Sequence, residues 1–191
     1  MMNALVCLAL SLFLLNVLPT VSMASDQEAI PPGTVADYIH AILEADRTFY
    51  TIHVVERMQK GQGPAASEDW RAKKNLLPLP AQFLKESGDL AAKTGSTVRY
   101  RLISLWPINP DNGPYGEIER KGLETVRDHP DRTATARVTV GTQVYFQAIY
   151  PDHAVSETCI ACHNTHPRSP KHDFKMNDVM GGLLIEIPLN K

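Results

Sequence analysis

The pentapeptide CIACH, with Cys159, Cys162 and His163, constrains this chain more than any other feature. C-x-x-C-H is the attachment signature of a c-type haem. Two thiols separated by two residues can reach the two vinyl groups of one porphyrin and form thioethers, and the adjacent imidazole then lies under the iron as proximal ligand. A chain with that cargo must fold around a flat, largely apolar disc. Other chemistries also use paired cysteines. A redox dithiol of the thioredoxin kind wants the pair at the start of a helix after a strand, whereas Asn164, Thr165, His166, Pro167 and Pro170 follow here with loop composition. A structural zinc needs two more ligands at fingered spacing, and no second cysteine pair exists, although His166 and His172 are near in sequence. One covalent haem c is therefore the expected cofactor.

The N-terminus bears on the same point, because covalent haem attachment takes place outside the bacterial cytoplasm. Residues 3–24 carry no charge, and the dense apolar stretch from Ala4 to Leu18 suits the h-region of a secretory signal peptide. Pro19 breaks it, and Ser22 with Ala24 supply the small residues of a cleavage site after Ala24. No Lys or Arg stands near Met1, and the alternative is an uncleaved anchor, for which the stretch is short and interrupted. The organisation expected is a signal peptide over 1–24 and one domain over 25–191, exported to the periplasm. Cys7 falls within the leader, so the domain keeps only the two motif cysteines. Removing 24 of 191 residues leaves 167, the size of a single domain. A net charge of -2 without any basic block excludes nucleic acid as a partner. A mean hydropathy of -0.19 with one long apolar run excludes a polytopic membrane protein, since each crossing needs about 20 apolar residues.

Periodicity gives the rest of the frame. Thr34 with Asp37 three residues on resembles a capping box, and a long helix should run from there to about Lys60, with Gly61 as its stop. At about 100 degrees per residue, Val35, Ile39, Ile42, Phe49 and His53 share one apolar stripe, with His53 at its centre and His40 toward the polar side. Further helices are expected over 80–93 and 116–127. Strands are expected over 98–106, 134–140, 143–150 and 182–189, with Gly141 and Thr142 turning a hairpin. This is an α+β pattern on an antiparallel sheet. The 31 residues from 151 to 181 are too many for an idle connection and should wrap the porphyrin.

Five segments carry a family resemblance: LEADRTFYTIHVVERM (43–58), NLLPLPAQFLKESGDL (75–90), LISLWPINPDNGPYGEIERKGLE (102–124), VYFQAIYPDHAVSETCIACHNTHP (144–167) and DFKMNDVMGGLLIEIPL (173–189). They resemble an exported single-haem family known as a haem-containing domain of unknown function. The resemblance implies a PAS-like antiparallel sheet with a long N-terminal helix and a haem-binding loop, a scaffold found alone or ahead of signalling modules. Members of that family differ in the distal iron ligand, some using a cysteine. This chain departs from that pattern, because the domain has no spare cysteine.

For the sixth iron position His53 is the first candidate, as an imidazole on an apolar stripe. Met58, His40, His153 and His166 are alternatives, and an open or water-bound site is the third. Trp106, Tyr145, Phe146 and Tyr150 stand at strand positions that can line a porphyrin, though any domain buries such aromatics. Arg99 and Arg101 can pair with propionates or remain on a solvated edge. Met176 and Met180 are expected as core filler. Gly181 and Gly182 permit a close backbone approach or start the last strand. Two functions follow: a haem redox or ligand sensor, or an accessory to one, and alternatively a single-haem electron-transfer cytochrome. A peroxidase-like enzyme would want a distal acid-base His and an Arg, and nothing marks that set. The sequence ends at Lys191, directly after the last expected strand, so any sensing is expected to act by contact with a redox partner protein or membrane sensor.

Overall fold

Four strands, β1 (Arg99–Ile103), β2 (Ala134–Val140), β3 (Gln143–His153) and β4 (Val179–Leu189), form one antiparallel sheet in the order β1-β4-β3-β2. The computed structural model describes residues 29–189, so the leader, its cleavage point after Ala24 and Cys7 lie outside the described residues. Helices cover both faces. On one lie α1 (Pro32–Phe49) and α3 (Pro80–Lys93), on the other α4 (Glu117–Asp128). Mixed helices on an antiparallel sheet make this the α+β class that the periodicity predicts.

The central strands are buried on both sides, which explains their near-continuous apolar runs. Ala148, Tyr150, Leu183 and Ile185 point toward α1 and α3, whereas Ile149 and Leu184 point toward α4, so the alternation of successive side chains builds two separate cores. The register Ile149↔Leu184 and Tyr150↔Leu183 keeps each pair on its own face. Gly181 and Gly182 let the sheet's strands and α4 approach closely. A Cβ on Gly182 would lie 2.5 Å from Ile149 Cγ2, and one on Gly181 would lie 2.4 Å from the Ile103 carbonyl oxygen. Gly141 turns the β2–β3 hairpin with φ of 62°.

Most element boundaries match the sequence reading, and the departures have local causes. The long helix begins at Pro32 with Pro31 as an N-cap that offers no side-chain bond, so Thr34 and Asp37 form no capping box. Proline at the first turn suffices, because its missing N–H would have had no partner there anyway. Asp37 instead accepts a bond from the Tyr150 hydroxyl at 2.6 Å. β1 stops at Ile103 because Ser104 leaves the ladder, donating through Oγ to the Met180 carbonyl at 2.7 Å and accepting from the Trp106 N–H at 3.0 Å. The Asp152/His153 register shift bends the end of β3.

The largest departure lies within the long helix. It runs on to Lys60, as expected, but Tyr50–Glu56 is a π-helical segment between α1 and α2 (Arg57–Lys60). Its i→i+5 bonds turn the chain less per residue than an α-helix does, so the buried stripe slips. The residues turned inward are Arg47, Thr51 and Val55, four apart, and His53 is exposed. The expected stripe is already turned outward in α1, where Ile42 and Phe49 are exposed and Ala36 and Arg47 are buried, so His53 follows the exposed side, and the π segment carries the buried line on to Val55.

Candidate functional site

The segment between β3 and β4 is not a plain loop. Ser156 caps α5 (Glu157–Thr165), its Oγ accepting from the Thr158 N–H at 3.1 Å, and Glu157 sets an anion at the helix's positive end. Pro167 and the extended His166 end it. The motif that sequence composition placed ahead of a loop thus sits on a short helix following a strand. Cys159, Cys162 and His163, at i, i+3 and i+4, share one face of it.

That placement is the one a redox dithiol would want, so electrostatics must discriminate. Both cysteines are free thiols, Cys159 half-buried and Cys162 open to solvent. Burial pushes the Cys159 thiol up, with the Arg47 charge pulling only partly the other way. A reactive dithiol needs the opposite, a depressed thiol. For zinc, no group of three or more His, Cys, Asp or Glu is close enough to hold an ion among the described residues. His166 accepts at Nδ1 from the Arg168 N–H at 3.2 Å, and the His172 ring lies 2.9 Å from the Asn164 carbonyl oxygen.

His163 is half-buried, edge-on to Phe174 with ring centroids 5.9 Å apart. Burial, together with His166, pushes its imidazole below the usual histidine range. It therefore stays neutral, the form that binds a metal. Its Nδ1 is shielded from water and has no hydrogen-bond partner. A buried polar nitrogen of this kind is costly in a protein interior unless some group completes it.

An apolar wall stands beside the motif. Ala154, Phe174 and Met180 are buried, with Trp106, Cys159 and Ile160 packed on them, and Trp106 meets Phe174 edge-on at 5.7 Å. Asn164 pins Phe174 by two bonds, accepting from its N–H at 3.0 Å and donating to its carbonyl at 2.9 Å. The Lys171 ammonium covers the Phe174 and Trp106 rings at 5.0 and 5.5 Å. The long helix grips the other side. Ser156 Oγ donates to Glu56 Oε2 at 2.7 Å, Thr158 Oγ1 donates to Gln59 Oε1 at 3.2 Å, and Arg47 pairs with Asp152. Two thiols, a neutral imidazole with an uncompleted nitrogen and an apolar flank fit a haem held through Cys159, Cys162 and His163.

Of the other expected site residues, Trp106 is brought to the motif. Phe146 and Tyr150 belong to the core beneath α1, where the Tyr150 ring stacks on His40 at 3.9 Å. Arg101 is taken by Glu119, at 2.5 and 2.6 Å, and lies over the Tyr115 ring at 3.9 Å; Arg99 lies over Tyr145. Strand parity identifies the face a residue occupies but not its neighbours, and these residues pack beneath α1 or pair with Glu119 and Tyr145. Among the sixth-position candidates, His53 leans on Phe49 at 4.9 Å, Met58 Sδ lies against the Gly63 turn, and the His153 ring lies 2.9 Å from the Asn177 carbonyl oxygen. Sequence reading passed over Phe174, Lys171 and Arg47. Phe174 is the one aromatic residue in 151–178, and Arg47 the one Lys or Arg in 32–56, signals that pattern counting alone does not weigh.

A family model described as Tll0287-like matches residues 27–188. Among solved structures, the fold is similar to the crystal structure of the cyanobacterial heme-protein Tll0287, with a TM-score of 0.52 and 16% identity over 85% of this chain and 99% of that one. At that identity the likeness speaks to the fold alone. No curated protein sequence matches the chain.

Proposed function

The chain belongs to the Tll0287-like family, and from that premise we propose that it is a haem-binding protein carrying one c-type haem, attached through Cys159 and Cys162 with His163 as axial ligand. The carrying observation is the turn of α5 that holds all three, with the His163 imidazole neutral and Nδ1 buried without a partner. Trp106, Phe174 and Met180 would flank the ring. The apolar, uncharged leader supports export to the periplasm, where such haems are attached. A sheet with helices on both faces suits a PAS-like scaffold. We read the role as a redox or ligand sensor, or an accessory to one, working through a protein partner. His53, the imidazole of the long helix put forward for the sixth position, is exposed and leans on Phe49, which favours a far side open to water or a diffusible ligand. Electron transfer is the second reading, supported by the solvent-exposed Cys162, which would bring one ring edge to the surface.

Protein matured in a haem-attaching host should keep its haem stain on a denaturing gel and lose it in the Cys159→Ser, Cys162→Ser double variant. Loss of the wild-type stain on denaturation would sink the covalent assignment. Absorption spectra with carbon monoxide separate the roles. Prompt binding and a spectrum that His53→Ala leaves unchanged fit the sensor, whereas a six-coordinate iron refractory to carbon monoxide in both states fits the electron carrier.

A further inference from the structure

Arg47 is 8% exposed, and the other fully buried residues of its helix, Ala36, Thr51 and Val55, are uncharged. Its partner Asp152 sits where β3 bends before α5. With Glu56 on Ser156 and Gln59 on Thr158, it makes the third grip of the long helix on the strand-to-α5 junction, and the most buried of the three. Its charge reaches Cys159, where it opposes the larger effect of burial on the thiol. Resting on the haem reading above, we propose that Arg47, locked to Asp152 behind α5, sets the reduction potential of the haem held by Cys159 and Cys162.

Vinyl groups and propionates occupy opposite edges of a haem, so a cation near Cys159 meets the thioether edge and is not neutralised by a propionate. Ferric haem carries one more positive charge than ferrous haem. A cation in a poorly screened interior therefore disfavours the ferric state and raises the potential, and a nearby anion does the reverse. Arg47 and Asp152 oppose each other, and the net potential depends on both.

The test uses the haem-loaded full chain in a one-electron spectroelectrochemical titration. Arg47→Gln should raise the ferric-to-ferrous ratio at a fixed potential about tenfold, a midpoint about 59 mV lower. Asp152→Asn should move the ratio the other way, and Arg47→Lys, which keeps the charge, should stay within about threefold of wild type. Opposed signs are what a purely structural pair cannot give, since loosening the site admits water whichever partner is lost. Shifts of the same sign, or below about twofold, in variants that keep their haem stain overturn the proposal alone. If Arg47→Gln does not fold, the sign of the Asp152→Asn shift decides it. A wild type with no covalent haem overturns the haem reading and the proposal with it.

Discussion

Beneath α4 the sheet is closed by shape. Ile103, Leu123, Val126, Ile149 and Leu184 interlock without a polar contact among their side chains, and Gly122 and Gly182 let helix and strands approach to the limit that Ile149 allows. Beneath α1 apolar packing is threaded with polar bonds. Asp37 holds the Tyr150 hydroxyl, Ser87 meets Tyr100 at 2.9 Å, His40 stacks on Tyr150, and farther along the same helix Arg47 takes Asp152. The α4 face also carries polar pairs, Arg101 with Glu119 and Gln147 with Glu186, but they bond that face to itself, and its apolar centre is specified by volume. The α1 face must also place one end of its helix against the α5 junction, and directional bonds fix position along an axis where interchangeable methyl groups do not.

The contrast breaks first at Gly182. In Gly182→Val the new side chain has nowhere to go, with Ile149 Cγ2 at 2.5 Å and Leu123 Cδ2 at 3.1 Å from its Cβ position. Overpacking of this kind should cost about 3 kcal/mol or more in urea unfolding. An effect below about 1 kcal/mol would mean that the α4 face is loosely packed, and the distinction between the faces would lapse.

Regular elements on both faces were the legible part of the molecule. α3, α4, β2 and the Gly141 hairpin fall at or within a residue of their expected bounds, because each keeps an ideal period and ends in turn chemistry. That Cys159, Cys162 and His163 share one helix face was readable from their spacing. Their surroundings were not. Which face of α1 is buried was misjudged, since Ile42 and Phe49 are exposed, and the π segment at Tyr50–Glu56, which brings Val55 inward, has no signature in residue type. Phe174 reaches His163 through contacts with Asn164 that no periodicity encodes.

On the α1 face the directional bonds are the weak points. Tyr150→Phe removes one donor to a carboxylate and leaves the ring in place, and should cost about 1.5 kcal/mol at neutral pH. Global unfolding measures it. A neutral outcome would mean that Asp37 is fully repaid by water and that the bond only orients the ring. Ser156→Ala, farther out, loses the α5 cap and the Glu56 contact and should cost about 1 kcal/mol. Faster amide exchange confined to 157–165 should accompany it, and uniform acceleration across the sheet would contradict a local role.

The smallest effect is a dependence on pH that should arise at His40 on the α1 face. His40 packs flat on Tyr150, and desolvation by that packing pushes its imidazole below the ordinary value of 6.5, outweighing the opposite pull of Glu44 and Asp37. The folded protein therefore holds the His40 proton less tightly than the unfolded chain does. Wherever the unfolded state binds more protons, stability rises with pH. The contribution of His40 is thus complete above the unfolded value and lost as the pH falls below 6.5 toward the lower folded value. His40→Gln removes that titration while keeping a planar group against Tyr150. Unfolding free energies at pH 7.5 and 5.5 should differ less in the variant than in the wild type, with the wild type the more acid-sensitive by a few tenths of a kcal/mol. Equal differences would show that burial and the carboxylates cancel at His40. A variant more acid-sensitive than the wild type would reverse the sign, making Glu44 the dominant influence on His40 and the α1 face a place where protonation stabilises.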